Sequence, residues 1–411
     1  MTSRYWLVAL WLGLSVLIAL LTWINVNHYL SIDSQYYLSM AGWLVGLDGD
    51  QYGHPATGWD STFPVGYPAL IGGLAYLTDT SLLVASKLLN SLLVGGFVIV
   101  WQRRMGSTAV LWMGSVLLLG GFLRILAYTW SEWAFLFMLL EWMWTFRQTD
   151  LEITTYAITR SYGVSKNPAV GKLLLLTIAL FLLRYVGGFV VIVYGLRAIT
   201  TYWRGGWRVV RERFVGDLLY TGLSITFMLG YFWLNNFLTA SPYGGERFVT
   251  TDETFGQKLF IMGLAPLNEI LLIRDYVIGE PNALVWLGLF LQIVLFWWLW
   301  HIVRSNQLTF ALSSLPEKQF FTLWLWVSAT YLIGLYTMRW FSPFSGPNAR
   351  MMSVVTLPFL MGVANWVGGQ PNALTRRKLA RWWVILLLCS WLQLLPQADF
   401  WEKMAKLLAR V

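Results

Sequence analysis

The sequence is poor in the residues that polar and redox chemistry draw on. It has one cysteine and three histidines in 411 residues, and only 12% of its residues are charged. A single cysteine, Cys389 inside the apolar run VILLLCSWL, excludes an intramolecular disulfide and any multi-cysteine metal site. His28, His54 and His301 are far apart in sequence and argue against a histidine metal centre, so no cofactor is expected, with metal dependence left open. Soluble domains carry about a quarter charged residues. A chain with half that share has too little polar surface to stay in water. Low-complexity linkers and inverted internal repeats are lacking too, and residues 1–411 read as one helical domain without a soluble appendage.

Apolar surface is what the chain has in quantity. Hydrophobic residues make up 57%, with 26 Trp, 24 Phe and 19 Tyr, and mean hydropathy is +0.58. This is the composition of a polytopic membrane protein, and aromatic residues at such density suit belts at both membrane interfaces. The net charge of +9 comes from short Lys/Arg clusters between apolar runs. That spacing is the signature of cytoplasmic loops and not of a nucleic-acid-binding face, and the protein's expected surroundings are membrane lipids.

A spanning helix needs roughly 20 residues, which places spans near 6–26, 81–101, 107–126, 131–147, 172–184, 185–203, 215–236, 283–303, 320–338, 350–368 and 382–397. The apolar run 64–77 is too short to span and is better placed as a re-entrant or interfacial segment within an outer loop 27–80. Leaving it out of the count puts Arg103-Arg104, the 147–172 loop, Arg204 to Arg213, Arg304 with Lys318, and Arg376-Arg377-Lys378 on the cytoplasmic side. The expected fold is therefore an all-α transmembrane bundle of about eleven spans with the N-terminus inside. It has a second outer loop at 237–282 and a short interfacial segment at 398–411. The first segment is long for a signal peptide, and no A-x-A-like site follows Trp23-Ile24-Asn25, so it is expected to remain as an anchor.

This topology collects Asp33, Asp48, Asp50, Asp60, Glu132, Arg184, Glu246, Arg247, Arg339 and Arg350 on the outer side. A carboxylate such as Asp33 near the membrane boundary is costly unless solvated or partnered. Arg184 divides the apolar stretch 172–203 into two short helices joined by LLRYVGG. It is either a snorkelling side chain at a helix end or a cation facing a polar cavity, where its planar fork suits phosphate. Glu132 in TWSEWAF is either a first-turn acid complementing the helix dipole, with Ser131 as N-cap, or part of a site. Arg247 in a Gly-rich loop, and Arg339 and Arg350 flanking a Pro/Gly turn, run against the positive-inside tendency; an anionic ligand is the simplest local reason. One boundary Asp with several outer arginines suits transfer from a phosphate-linked donor. The Asp acts as general base, and the arginines stabilise charge on the leaving phosphate. A lipid-linked phosphate donor entering sideways from the bilayer fits a site at this depth.

Taken in order, Asp33-Ser34-x-x-Tyr37, Phe63-Pro64-Val65-Gly66-Tyr67-Pro68, Ser131-Glu132, Arg184-Tyr185-x-Gly187, Thr239 to Arg247 and Asn348-Ala349-Arg350 cover most of the chain. This ordered set resembles the GT-C superfamily of polyprenyl-phosphate-dependent membrane glycosyltransferases, in particular the bacterial protein O-mannosyltransferase and aminoarabinose transferase group. The resemblance implies juxtamembrane helices in the first outer loop and Asp33 as the catalytic base. It also implies a polyprenyl-phosphate-linked sugar donor, and an acceptor that is a protein, lipid or glycan. The site would face the periplasm or the outside of an inner (plasma) membrane. Candidate substrate-binding residues are Tyr37, Asp60, Tyr67, Glu132, Arg184, Tyr185, Arg247, Arg339 and Arg350. The chain departs from the group at Ser34, where many members carry a second acid. It also shows no large C-terminal soluble domain, which removes one clue to the acceptor. A transporter or flippase of lipid-linked sugars and a non-catalytic envelope-assembly subunit remain alternatives. The first would more often show helices broken in repeated halves and charges near the midplane. The second would not require Asp33 to cluster with arginines.

Overall fold

Long apolar runs must satisfy their backbone polar groups internally once they leave water, so helix is the structure such a sequence forms. The computed structural model of the chain describes residues 2–47, 58–159, 168–244, 253–269, 283–308, 315–341 and 348–395. Among the described residues the chain is helical throughout, with no strand. Among the described residues seven helical segments, two of them limbs of one long helix, are long and apolar enough to cross a membrane, or eight with one bent pair counted as a span. Large apolar side chains stand exposed on the outside of the bundle, among them Trp203, Trp286, Phe290 and Trp297. Such a surface is suited to hydrocarbon and not to water.

Helix α1 is Thr2–Ile24. Two short helices follow, α2 (Ile32–Val45) and α3 (Gly66–Thr78), which pack on one another. The short apolar run 64–77 is thus a 13-residue helix, consistent with its exclusion from the spans. Then come α4 (Leu82–Met105), α5 (Ser107–Ser115), α6 (Gly120–Ala127), α7 (Glu132–Thr159) and α8 (Pro168–Leu183). The remaining helices are α9 (Phe189–Thr239), α10 (Phe255–Glu269), α11 (Ala283–Ser305), α12 (Leu315–Phe341), α13 (Ala349–Gly368) and α14 (Ala373–Ser390).

Two features differ from straight spans. The expected segment 107–126 bends by 78°, because Leu119 is extended (φ −63°, ψ 139°) between a 3₁₀ turn and α6. Helix α9 doubles back between Trp203 and Arg213. The Tyr194 hydroxyl donates to Asp217 at 2.5 Å, and the Tyr194 and Tyr220 rings lie 4.1 Å apart. Twenty-three residues of straight helix would separate the first pair by about 35 Å.

The expected segments 131–147, 172–184 and 382–397 fall on α7, α8 and α14, none of which is long and apolar enough to count as a span on its own. Helix α8 has 16 residues, about 24 Å against a hydrocarbon layer of roughly 30 Å. Helix α14 carries Arg376, Arg377, Lys378 and Arg381 in its first half. What the structure carries is thus an all-helical membrane bundle with seven to eight clear spans. The bundle has two distinct ends. Asp33, Glu132, Arg184 and Arg350 gather at one of them. Arg104 and Glu141 pair towards the other, where Trp101 meets Phe320.

Candidate functional site

The segment between α1 and α4 builds the acid. Ser31 caps α2: its hydroxyl accepts from the Ser34 amide at 3.3 Å, and the Ser34 hydroxyl accepts from the Ser31 amide at 3.1 Å. This capping box satisfies two otherwise unpaired N–H groups and fixes Asp33 in the first turn of the helix. Ser34, the departure from a paired-acid motif, is therefore spent on the cap and buried. Trp130 ties the cap to the next element, donating its indole N–H to the Ser31 hydroxyl at 2.7 Å.

Glu132 begins α7 and is buried, at 2% exposure. Its Oε1 accepts from Arg184 Nη1 and from Arg350 Nε. Arg350 also pairs through Nη1 with Asp33, and its guanidinium lies 4.4 Å over the Trp130 ring. Four residues from four segments thus form one network of two cations and two carboxylates. Each segment presents its residue for a local reason. Arg184 is an extended residue (φ −154°) between α8 and a 3₁₀ turn, where a cation suits the C-terminal end of a helix dipole. Arg350 is placed the other way, in the first turn of α13 behind the Asn348 cap. A helix N-terminus repels a cation, so Arg350 depends on the two carboxylates it bridges. The second Glu132 oxygen, Oε2, is buried without a hydrogen-bond partner among the described residues.

Arg184 is therefore not a snorkelling side chain. It turns inward to Glu132 and keeps 25% of its side chain exposed. Glu132 is more than a complement to its helix dipole, because it is the shared counter-ion of two arginines. Asp33 keeps 30% of its side chain exposed, the most accessible carboxylate of the network.

A shell of hydrogen bonds holds the segments in register. The Tyr37 hydroxyl, buried, meets the Ser131 hydroxyl at 2.9 Å, and its ring contacts Phe63 and Tyr67 at 4.7 and 5.1 Å. Tyr67 is buried, with no partner for its hydroxyl among the described residues. Tyr185 donates to the Ser61 carbonyl at 2.8 Å and accepts from Asn235 at 2.8 Å. Asn235, fully buried, also accepts from the Trp59 indole at 2.9 Å and donates to the Pro242 carbonyl at 2.8 Å. Close backbone contacts demand glycine at two points. A Cβ on Gly66 would sit 2.6 Å from the Leu182 carbonyl oxygen, and one on Gly187 would sit 2.3 Å from that of Leu180.

The sequence-predicted residues divide accordingly. Asp33, Glu132, Arg184 and Arg350 come together, with Tyr37 beside them. Tyr67 and Tyr185 lie in the supporting shell. Asp60 accepts from the Thr62 amide at 2.7 Å and so shapes its own turn. Arg339 is buried and pairs with Glu253 at 2.6 Å, so a carboxylate of the chain itself meets this side chain. Arg247, Glu246, Asp48, Asp50 and the 398–411 segment lie outside the described residues. Sequence reading missed Trp130 and Asn235. Trp130 is one of 26 tryptophans, and only its position beside Ser131-Glu132 marked it. Among the described residues no three His, Cys, Asp or Glu converge as metal ligands would. The chain matches no protein-family model, no curated protein and no solved structure.

Proposed function

We propose that this protein is a membrane glycosyltransferase that moves a sugar from a polyprenyl-phosphate-linked donor to an acceptor on the outer side of the membrane. The observation that carries the reading is the four-residue network. One partly exposed carboxylate, Asp33, and two arginines are drawn from distant segments to a single point at one end of an apolar bundle. The GT-C resemblance of the same motifs supports it.

In this reading Arg350 and Arg184 face the donor phosphate. The arginine fork matches phosphate oxygens better than a point charge does. Arg350 cannot hold Asp33, Glu132 and a phosphate fully at once. Donor binding draws it from Asp33, and the freed carboxylate is left next to the acceptor. Asp33 then takes the proton of the acceptor hydroxyl or amine while the acceptor atom bonds to the anomeric carbon. The bond from that carbon to the phosphate oxygen breaks, its electron pair stays on the lipid phosphate, and the two guanidiniums stabilise the added charge.

The test is release of polyprenyl phosphate from a labelled sugar-lipid donor by the purified chain. Asp33→Asn should insert and fold normally and lose roughly 10²–10⁴-fold in turnover. Arg184→Lys should lose much of the activity and Arg184→Ala nearly all of it, through the donor and with acceptor binding little changed. Normal turnover in Asp33→Asn removes the assignment of the base. No release by the wild-type chain from any such donor removes the enzyme.

A further inference from the structure

At the opposite end of the bundle a second cationic group has a different charge balance. Glu141 of α7 accepts from both terminal nitrogens of Arg104, at 2.7 and 2.6 Å, and from the Trp101 indole at 3.1 Å. Both of its oxygens are therefore engaged by Arg104. Arg147 lies two turns further along α7 and receives nothing from it. The Arg147 guanidinium lies flat over Trp144 at 4.0 Å, and Arg104 lies 5.0 Å from the same ring. Arg147 Nε is buried without a hydrogen-bond partner, and no carboxylate among the described residues pairs with this side chain. Arg103, adjacent on α4, is exposed.

Of the two arginines that share Trp144, Arg104 has Glu141 as its counter-ion and Arg147 has none among the described residues. Two guanidiniums sharing one indole repel each other, and an anion seated between them and the solvent would relieve that. The indole covers one face of the Arg147 guanidinium and orients the group. Nε is buried, so the two terminal nitrogens are what is left for a ligand, and they can meet a phosphate in two-point contact. Depth points the same way. Glu132 and Arg147 are fifteen residues apart on one helix, about 22 Å. With the Asp33 network near one boundary, the Arg147 backbone falls about 8 Å short of the other across a layer of roughly 30 Å, a distance that the long arginine stem largely covers towards the headgroups.

We infer that Arg147, backed by Trp144, binds a phosphate group at this end of the bundle. The phosphate would be that of an anionic lipid or of a soluble phosphoester. This site is separate from the Asp33 network and does not depend on the function proposed for it.

The experiment uses the whole purified chain and follows thermal unfolding in two arms. One arm compares phosphatidylglycerol with phosphatidylcholine in mixed micelles. The other compares inorganic phosphate with chloride at matched ionic strength. Both arms are run on the wild type, Arg147→Gln and Arg147→Lys; the lysine variant keeps the charge should the glutamine variant fold poorly. The expected result is stabilisation of the wild type by phosphatidylglycerol. Apparent affinity should be about tenfold weaker in Arg147→Gln, which loses a charge-assisted contact, and weaker than the wild type in Arg147→Lys, which keeps the charge but loses the two-point fork. A matching response to inorganic phosphate identifies the ligand as a soluble phosphoester, and no such response identifies it as the lipid. The inference is overturned if the wild type responds in neither arm, or if both variants respond as the wild type does.

Discussion

Replacing Glu132 by glutamine separates the roles that one carboxylate plays in the Asp33 network. Glu132 is 2% exposed and is the counter-ion of Arg184 and Arg350, whose side chains are 25% and 18% exposed. Glutamine keeps the shape and one acceptor oxygen but leaves two cations facing Asp33 alone. Removing one partner of a buried ion pair costs about 3–5 kcal/mol. Because both arginines are partly solvated, the lower end applies, about 3 kcal/mol, a large share of the roughly 5–15 kcal/mol that holds a domain folded. The same change should strengthen binding of an anion, since phosphate no longer competes with the Glu132 charge for the two guanidiniums. Stability without ligand should fall while the stabilisation gained from ligand rises. Ligand held at a hundred times its Kd contributes about 2.7 kcal/mol, enough to restore most of the loss.

The assay is unfolding of the purified wild type and Glu132→Gln across a titration of a single-chain alkyl phosphate. The variant should start lower and climb further, with a lower Kd than the wild type. Subtracting the wild-type curve isolates this network from anion sites elsewhere on the chain. A variant as stable as the wild type, with an unchanged Kd, would refute the view that Glu132 is the counter-ion which a donor phosphate displaces.

Two further outcomes test how the site is held and oriented. Gly66→Ala places a Cβ 2.6 Å from the Leu182 carbonyl oxygen, which backbone on both sides must move to accept; a loss of about 1–3 kcal/mol in unfolding is expected. Gly73→Ala on the same helix, where nothing lies within 4 Å, should be neutral or slightly stabilising, and equal effects at the two positions would count against the close contact. A cysteine at position 206, in a Cys389→Ser background, should resist an impermeant thiol reagent applied to intact cells, because the Lys/Arg distribution puts 204–213 inside. Labelling from outside would invert the assignment of both ends of the bundle.

The helices were legible because apolar length is a strong signal. So was the break at Arg184, because one charge interrupts a long apolar stretch. The bend at Leu119 was hidden. Nothing in the apolar string VLLLGGF changes in polarity where the backbone turns, and the bend is set by tertiary contacts such as the Gly120 amide donating to the Ser390 hydroxyl at 2.9 Å. The doubling back of α9 was expected from its cluster of arginines. The pair that fastens its two limbs, Tyr194 and Asp217, carried no local mark. Span counting reached its limit at α7, α8 and α14, where charge or shortness makes length an ambiguous measure.

The site was legible residue by residue and illegible as a network. Asp33, Glu132, Arg184 and Arg350 each stand out as charges at apolar boundaries, but their partners lie 52 and 218 residues apart in the chain. Spacing along a sequence says nothing of such pairings. The expectation of an anion beside these arginines left open whether the chain itself supplies it. For Arg339 it does, in Glu253, and the side chain is buried with it. For Arg184 and Arg350 it supplies Glu132 and Asp33, but one of those carboxylates and both arginines remain partly open to solvent. An ion pair sealed from water carries a desolvation cost that its attraction repays only with good geometry and further hydrogen bonds. Asp33, the most exposed member of the network, keeps part of its hydration and can leave Arg350 at a lower cost than the enclosed Glu132 could. A carboxylate held by one exchangeable arginine at the edge of a site is what a base released by its own substrate requires.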